Sequence, residues 1–313
     1  MPHSDSPRPR GPVAVLMNQP YLLLVLAPLF WGGNVVAAKL VVGEIDAYLL
    51  LASRCVGATA LIACLAWRDI KADRHILRRT WPLLMGYGIV GYALFNVLLY
   101  LGVTYTTAVN SSIVQAALPV MILGANFLVF RVRTRPVQII GVAIAILGVL
   151  ITATGGQVWR ILTLDINVGD GLVILACLCY TAYTLALKYR PAVRMMSFLA
   201  VAFCGAMLFS LVLLQLFGGG LGRFATLGSA SPTVWLAIIY VATLPSLFSQ
   251  IFYARGVEMV GANRAGLTHN LIPLFGALGS ILILGERFEL FHAIAATVII
   301  AGIVLSEWSA RRI

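Results

Sequence analysis

Apolar stretches of about 20 residues, the length a helix needs to cross a bilayer, recur ten times along this chain. They fall near 21–42, 46–67, 81–103, 107–130, 136–154, 169–187, 196–216, 233–254, 263–284 and 289–308, spans 1 to 10 in chain order. A membrane barrel would instead alternate apolar and polar residues over segments of about 10 residues, and no such alternation occurs. The pattern predicts an all-α polytopic membrane protein with ten transmembrane helices. The connections at 43–46 and 104–106 are short enough to force antiparallel helix hairpins.

The pattern also repeats. Gly102-Val103, Ala108 and Leu118-Pro119 return 154 residues later as Gly256-Val257, Ala262 and Ile272-Pro273. The same offset pairs Trp81 with Trp235, Asn96 with Gln250, Gln115 with His269 and Gly148 with Gly302. Five spans separate each pair, so the second copy is expected upside down relative to the first. Inverted repeats around a midplane site are an architecture of alternating-access carriers. The expected divisions are a disordered tail 1–20, a first five-helix repeat 21–154, an outer linker 155–168, a second repeat 169–308 and a tail 309–313. Small residues at Gly141, Ala145 and Gly148 let helices approach closely in lipid, with internal packing favoured over a dimer face.

Composition agrees with a membrane location: 61% of residues are apolar and 11% charged, where a soluble domain carries about 25% charged residues. The net charge of +11 would suggest nucleic acid were it not for its distribution. With the N-terminus inside, 17 of the 22 Lys and Arg fall on the inner side, the others being Lys39, Arg54, Arg160, Arg223 and Arg287. Such a bias orients a membrane protein; it places both termini in the cytoplasm and argues against nucleic-acid binding. Cys55, Cys64, Cys177, Cys179 and Cys204 lie within spans and read as buried small hydrophobes, with no metal or redox site. The glycines at 218–220 lack the lysine and flanking strand of a phosphate loop, so an ATP-driven mechanism and a cofactor are not indicated.

Polar side chains within spans carry the candidate chemistry, because lipid cannot satisfy them. Span 8 shows Ser246, Ser249, Gln250 and Tyr253 on one helical face. Its repeat partners on span 3 are Tyr92, Phe95 and Asn96, with Tyr100 one turn further on. Gln115 and His269 each precede a repeated proline by four residues, where proline frees a backbone carbonyl. Spans 1 and 6 pair at an offset of 149: Trp31 with Tyr180, Asn34 with Tyr183, and Lys39 with Lys188. The aromatics offer faces for an ammonium group, and the lysines read mainly as anchors near span ends. Pro119, Pro245 and Pro273 are candidate hinges. Arg54, well inside span 2, is expected to pair with backbone carbonyls or a carboxylate, Glu44 or Asp46 being the nearby acids, in a structural or outer-gate role. No acid falls mid-span, which favours neutral, zwitterionic or anionic cargo and transport by facilitated diffusion. A serine hydrolase built on Ser111 or Ser112 with His269 would lack the usual nucleophile elbow, so the chain is read as a non-enzyme.

Trp31-Gly32 followed by Lys39, Arg54 early in span 2, Gly102 to Pro119 with its repeat at Gly256 to Pro273, and Leu284-Gly285-Glu286 together resemble the drug/metabolite transporter superfamily in its ten-helix EamA-type branch. The first copy departs from it, ending Val129-Phe130-Arg131 without an acid. The resemblance implies two inverted five-helix halves around a cavity lined largely by spans 3, 4, 8 and 9. It also implies a monomer or weak homodimer in the cytoplasmic membrane of a bacterium, exporting amino acids or similar small metabolites. The alternative cargo is another small solute: a drug, sugar derivative or lipid headgroup. Trp31, Asn34, Tyr92, Asn96, Tyr100, Gln115, Tyr180, Tyr183, Ser246, Ser249, Gln250, Tyr253 and His269 are the expected substrate-binding residues.

Overall fold

The computed structural model describes residues 15–41, 43–105, 114–115, 117–131, 135–163, 167–285 and 287–310. Residues 1–14 of the tail, Ala108, Ser111, Ser112, Arg133, Asp165, Glu286 and 311–313 lie outside these residues, as does the side chain of Lys39. The described part is 88% helix and contains no strand.

Most predicted spans coincide with helices: Pro20–Leu40 (span 1), Pro136–Ala153 (span 5), Val168–Ala186 (span 6), Met195–Phe217 (span 7) and Leu290–Ala310 (span 10). Among the described residues five helical stretches are long and apolar enough to cross a membrane, and four shorter apolar helices accompany them. Spans 2 and 3 differ from expectation. Helix continues from Ala47 to Gly88 and on through a π-helical turn, Ile89–Leu94, to Phe95–Tyr105. The expected polar loop at 68–80 is therefore helical; it holds no glycine or proline to break a helix. The run is nevertheless a hairpin. Arg54 Nη1 donates to Asn96 Oδ1 at 3.1 Å, although 42 residues of straight helix would hold them about 63 Å apart. Thr59 and Met85 likewise both reach the stretch 203–205 of span 7, so the reversal lies between them.

Spans 8 and 9 are interrupted where the polar residues cluster. Span 8 is built from Pro232–Thr243, a π-helical turn at Leu244–Phe248 and Ser249–Val260. Span 9 runs as Ala262–Leu267, a 3-10 turn at Thr268–Asn270, then Leu271–Leu284. In span 4 the described helix starts at Leu118, with Pro119 in its first turn. Of the three expected hinges, Pro245 lies inside a π turn, whereas Pro119 and Pro273 open helices just after a break. A proline fits the first turn of a helix because its missing N–H has no acceptor there.

The two halves pack through equivalent contacts. A Cβ on Gly102 would touch Val173, and one on Gly256 would touch Leu24; offsets of 154 and 149 convert one contact into the other. Gly88 of span 3 meets Ala202 of span 7, while Gly57 of span 2 meets Ala242 of span 8, the corresponding pair of spans. Spans 5 and 10 show the relation most directly. Gly148 faces Ala295 and Ile299, and Gly302 faces Gly141 and Ala145, so contacts move up one helix as they move down the other. These two corresponding helices run antiparallel, and the predicted small-residue face is spent inside the molecule. The approach is backbone to backbone: a Cβ on Gly148 would lie 2.8 Å from Ile299 N, and one on Gly141 would lie 2.7 Å from Gly302 O.

Large apolar side chains cover the perimeter, among them Leu65, Leu128, Leu236, Leu282 and Val304, with Trp67, Trp81, Trp235 and Trp308 also exposed. This is the surface that lipid favours, with tryptophans suited to its interfaces. Cys64 faces outward too, against the expectation that all five cysteines are buried. An apolar face turned to lipid accepts the same side chain as the interior does.

The span 5–10 contact provides a test. Gly302→Leu is expected to lower stability by about 2 kcal/mol or more through overpacking, read as a lower melting temperature in detergent. Gly86→Ala, where a Cβ would meet open space, is expected to leave it near the parent value.

Candidate functional site

The π turn in span 8 sets the geometry of the interior. Leaving the regular ladder frees carbonyls, and the polar stripe of this span occupies them. Ser246 Oγ donates to Val241 O at 2.5 Å, and Ser249 Oγ donates to Leu244 O and to Ala27 O of span 1, both at 3.1 Å. Trp31 Nε1 donates to Pro245 O at 3.1 Å. The π turn of span 3, Ile89–Leu94, occupies the equivalent place in the first half. Gly91 within it lets the Tyr183 ring approach, since a Cβ there would lie 2.5 Å from the ring. Such π turns often mark functional sites. Only the one containing proline could be suspected from sequence.

Arg54 reaches into this region rather than toward the loop acids. Its Nε donates to Ser246 Oγ at 2.5 Å, and Nη1 donates to Asn96 Oδ1 at 3.1 Å and to Tyr100 Oη at 3.5 Å. The expected partners are engaged elsewhere: Asp46 caps the helix through Tyr48 N and Leu49 N, and Glu44 accepts from Ser231. Eight helical residues place Arg54 about 12 Å beyond that cap, too far for a side-chain pair. From Arg54 a polar path continues inward. Asn96 Nδ2 donates to Tyr92 O, the hydroxyls of Tyr92 and Tyr183 lie 3.0 Å apart, and Tyr183 donates to Gln250 Oε1 at 3.5 Å.

Beside this path lies an aromatic enclosure. The His269 ring stacks on Trp31 at 5.3 Å and meets the rings of Tyr180 and Tyr253 at 5.0 and 4.9 Å. Four spans contribute: 1, 6, 8 and 9. The 3-10 turn at Thr268–Asn270 presents His269 and Asn270 to the interior, where both are buried. His269 Nδ1 lies 3.3 Å from Gly266 O. Its Nε2, the Tyr180 hydroxyl, both side-chain amide atoms of Asn270 and Asn34 Oδ1 have no partner among the described residues. A buried polar atom without a partner costs about 1–3 kcal/mol, so those of His269 and Tyr180, whose rings belong to the enclosure, suit recognition of a polar solute.

A cavity of about 570 Å³ opens nearby, at the arginine-rich end. Its lining includes Asn126, Gln138, Thr184, Lys188, Asn263 and Arg264. Asn126 Nδ2 donates to Asn263 Oδ1 at 2.5 Å, tying span 4 to span 9, and Lys188 Nζ lies 4.2 Å over the Phe130 ring. Thr184 at the cavity wall lies 3.4 Å from the Tyr253 hydroxyl. The cavity thus abuts the aromatic enclosure.

The thirteen residues singled out from sequence divide four ways. Trp31, Tyr180, Tyr253 and His269 converge on the enclosure, and Tyr92, Asn96, Tyr100, Tyr183 and Gln250 lie on the polar path. Ser246 and Ser249 tie spans together, and Asn34 and Gln115 are half-buried. None lines the cavity. Of its polar lining, Asn126 stands out in the sequence as a polar residue within span 4, but Asn263, at the edge of span 9, carries no signal of its own. Their convergence is tertiary.

Comparison with known proteins agrees with this arrangement. The chain is 25% identical over 291 residues to the uncharacterized transporter YyaM of Bacillus subtilis, spanning 92% of this chain and 93% of that protein. An uncharacterized transporter of Archaeoglobus fulgidus is 26% identical, spanning 92% and 97%. A crystal structure superimposes with a TM-score of 0.73 at 19% identity, covering 94% of this chain and 98% of that one, and so shares the fold. The model of the EamA-like transporter family matches twice, at residues 18–154 and 167–308. Two matched halves, packed through equivalent contacts around a polar and aromatic interior, make this chain a multi-pass membrane protein that belongs to the EamA-like transporter family.

Proposed function

We propose that this transporter exports amino acids or similar small metabolites across the cytoplasmic membrane by alternating access. In this reading ten spans form two inverted five-span repeats, 21–154 and 169–308, with both termini in the cytoplasm. The observation that carries the reading is the enclosure beside the cavity. His269 and Tyr180, each with an unpartnered polar atom, meet each other and the rings of Trp31 and Tyr253. An amino acid meets both kinds of surface. Its ammonium group suits aromatic faces, its side chain suits apolar ring surface, and its polar atoms suit His269, Gln115 and Asn96.

The antiparallel packing of spans 5 and 10 supports inversion. In this reading the arginine bias puts the cavity end in the cytoplasm, which is consistent with a form open inward. Cargo would enter past Lys188 and Arg264 and reach the enclosure. Passage then requires opposite movements: the Asn126–Asn263 end closes, and the contacts Trp31–Pro245, Arg54–Ser246 and Tyr240–Phe30 part. Pro119, Pro245 and Pro273 mark the places where the helices bend, assisted by the π turns of spans 3 and 8, whose carbonyls already lie outside the regular ladder.

Two experiments test this. In proteoliposomes, His269→Ala, Tyr180→Ala and Gln115→Ala are expected to lower counterflow of labelled amino acids about tenfold, the effect of losing about 1.4 kcal/mol of binding, at normal expression. Unchanged counterflow in all three would reject the site, and no competition by unlabelled amino acids would reject the cargo. In a cysteine-free background, a cysteine at Asn263 is expected to react with a membrane-impermeant thiol reagent from the cytoplasmic side only. One at Ser249 is expected to stay unlabelled.

A further inference from the structure

Arg54 is a buried charge without a counter-charge. It is 6% exposed, and its three bonds go to neutral oxygens, those of Ser246, Asn96 and Tyr100. Nε and Nη1 make those bonds; Nη2 makes none of them. Burying an unpaired guanidinium costs several kcal/mol even after relaxation, and within a membrane such a residue marks function more often than stability.

Among the described residues no acid pairs with Arg54, and none of the chain's 11 acids falls in the interior of a predicted span. Those nearest in sequence, Glu44 and Asp46, are held by Ser231 and by the helix cap. At the cavity mouth Glu258 is shared between Arg190 and Arg255, while Lys188 and Arg264 line the cavity itself. A cationic entrance draws anions inward, and the cation at the far end of the polar path has only neutral company.

The geometry points to Arg54 as the receptor for a carboxylate on the cargo. This rests on the carrier reading above and narrows its substrate class to amino acids and small organic acids, over cations and neutral solutes. Ser246 and Asn96 hold the guanidinium while the site is unloaded. An arriving carboxylate displaces them and takes the paired, fork-like contact that arginine offers and lysine cannot. Asn96 keeps its bond to Tyr92 O, and the rest of the cargo extends toward Tyr180 and Trp31, whose ring contact is 6.0 Å between centroids. Arg54 belongs to the first half and Ser246 to the second. Displacing that bond therefore removes a contact between halves on the side away from the cavity, so loading itself favours opening there.

The test is ligand-induced thermal stabilisation of the purified full-length protein in detergent. The probes are L-amino acids, the matching 2-oxo acids, the matching amino-acid amides and inorganic phosphate. Amino acids or 2-oxo acids are expected to raise the melting temperature, and the amides, which lack the carboxylate, are not. Arg54→Gln is expected to abolish the response, and Arg54→Lys to weaken affinity about tenfold or more through loss of the fork. Ser246→Ala, which frees the guanidinium without removing charge, is expected to tighten affinity about tenfold, the worth of a hydrogen bond to a charged group. This last arm decides the matter if Arg54→Gln does not fold. Equal stabilisation by amides, a response retained in Arg54→Gln, a response to phosphate alone, or weaker binding in Ser246→Ala would each overturn the assignment. Carboxylate binding without any flux in proteoliposomes would instead overturn the carrier reading and leave the Arg54 site standing.

Discussion

Inside a helix bundle surrounded by lipid, no solvent waits to satisfy a polar atom, and this constraint organises the whole molecule. Each buried hydroxyl, amide or cation must find another helix, a freed backbone carbonyl or a cargo. Ser246 and Ser249 use carbonyls around the π turn of span 8. Asn96 caps a carbonyl of its own span and at the same time receives Arg54. Where those solutions run out, as at His269 and Tyr180, the unpartnered groups are carried on rings that meet one another and Trp31. Helix irregularity and site chemistry therefore have one cause. In a regular helix a hydroxyl bonds the carbonyl four residues back, as Thr59 does to Cys55 O; at the π turn Ser246 and Ser249 reach five residues back instead.

Close approach of small residues holds the two halves in register around that interior. The span 5–10 contact brings backbone against backbone through Gly141, Gly148 and Gly302, which favours dispersion between helices where lipid removes the hydrophobic drive. Because these contacts are equivalent under exchange of the halves, a rearrangement available to one half has a counterpart in the other. The π turns at Ile89–Leu94 and Leu244–Phe248 are such a pair. Proline enforces one of them. In the other, glycine admits a tyrosine ring and supplies the same local freedom by a different route.

Electrostatics sorts the ends of the molecule from its middle. Ion pairs gather at the arginine-rich end, where Arg194 meets Asp69 at 3.4 Å and Glu258 is held by Arg190 and Arg255. These pairs are partly exposed and individually weak. They link the stretch between spans 2 and 3 to the start of span 7, and the connection after span 6 to the end of span 8, where Glu258 borders the cavity. Arg54 is the opposite case, buried and surrounded by neutral oxygens. The contrast separates charge paired at helix ends from charge held in the interior by neutral groups.

Much of this was legible in the sequence alone. Apolar length marked the membrane helices, since about 20 residues are needed to cross a bilayer and few soluble helices resemble that. The 154-residue offset disclosed the duplication, because helix contacts such as Gly102–Val173 and Gly256–Leu24 conserve size at equivalent positions. His269, Trp31, Tyr180 and Tyr253 could be singled out because polar and aromatic groups inside spans need a reason to be there. Tertiary structure decided the rest. The charged stretch 68–80 reads as a loop but folds as helix, because local propensity there is not opposed by glycine or proline. Arg54 lies nearest to Glu44 and Asp46 along the chain, yet it bonds Ser246 from another helix 192 residues away. Asn126 and Asn263 border a cavity only because spans 4 and 9 meet. Periodicity records which face of a helix is polar; only packing determines what that face meets.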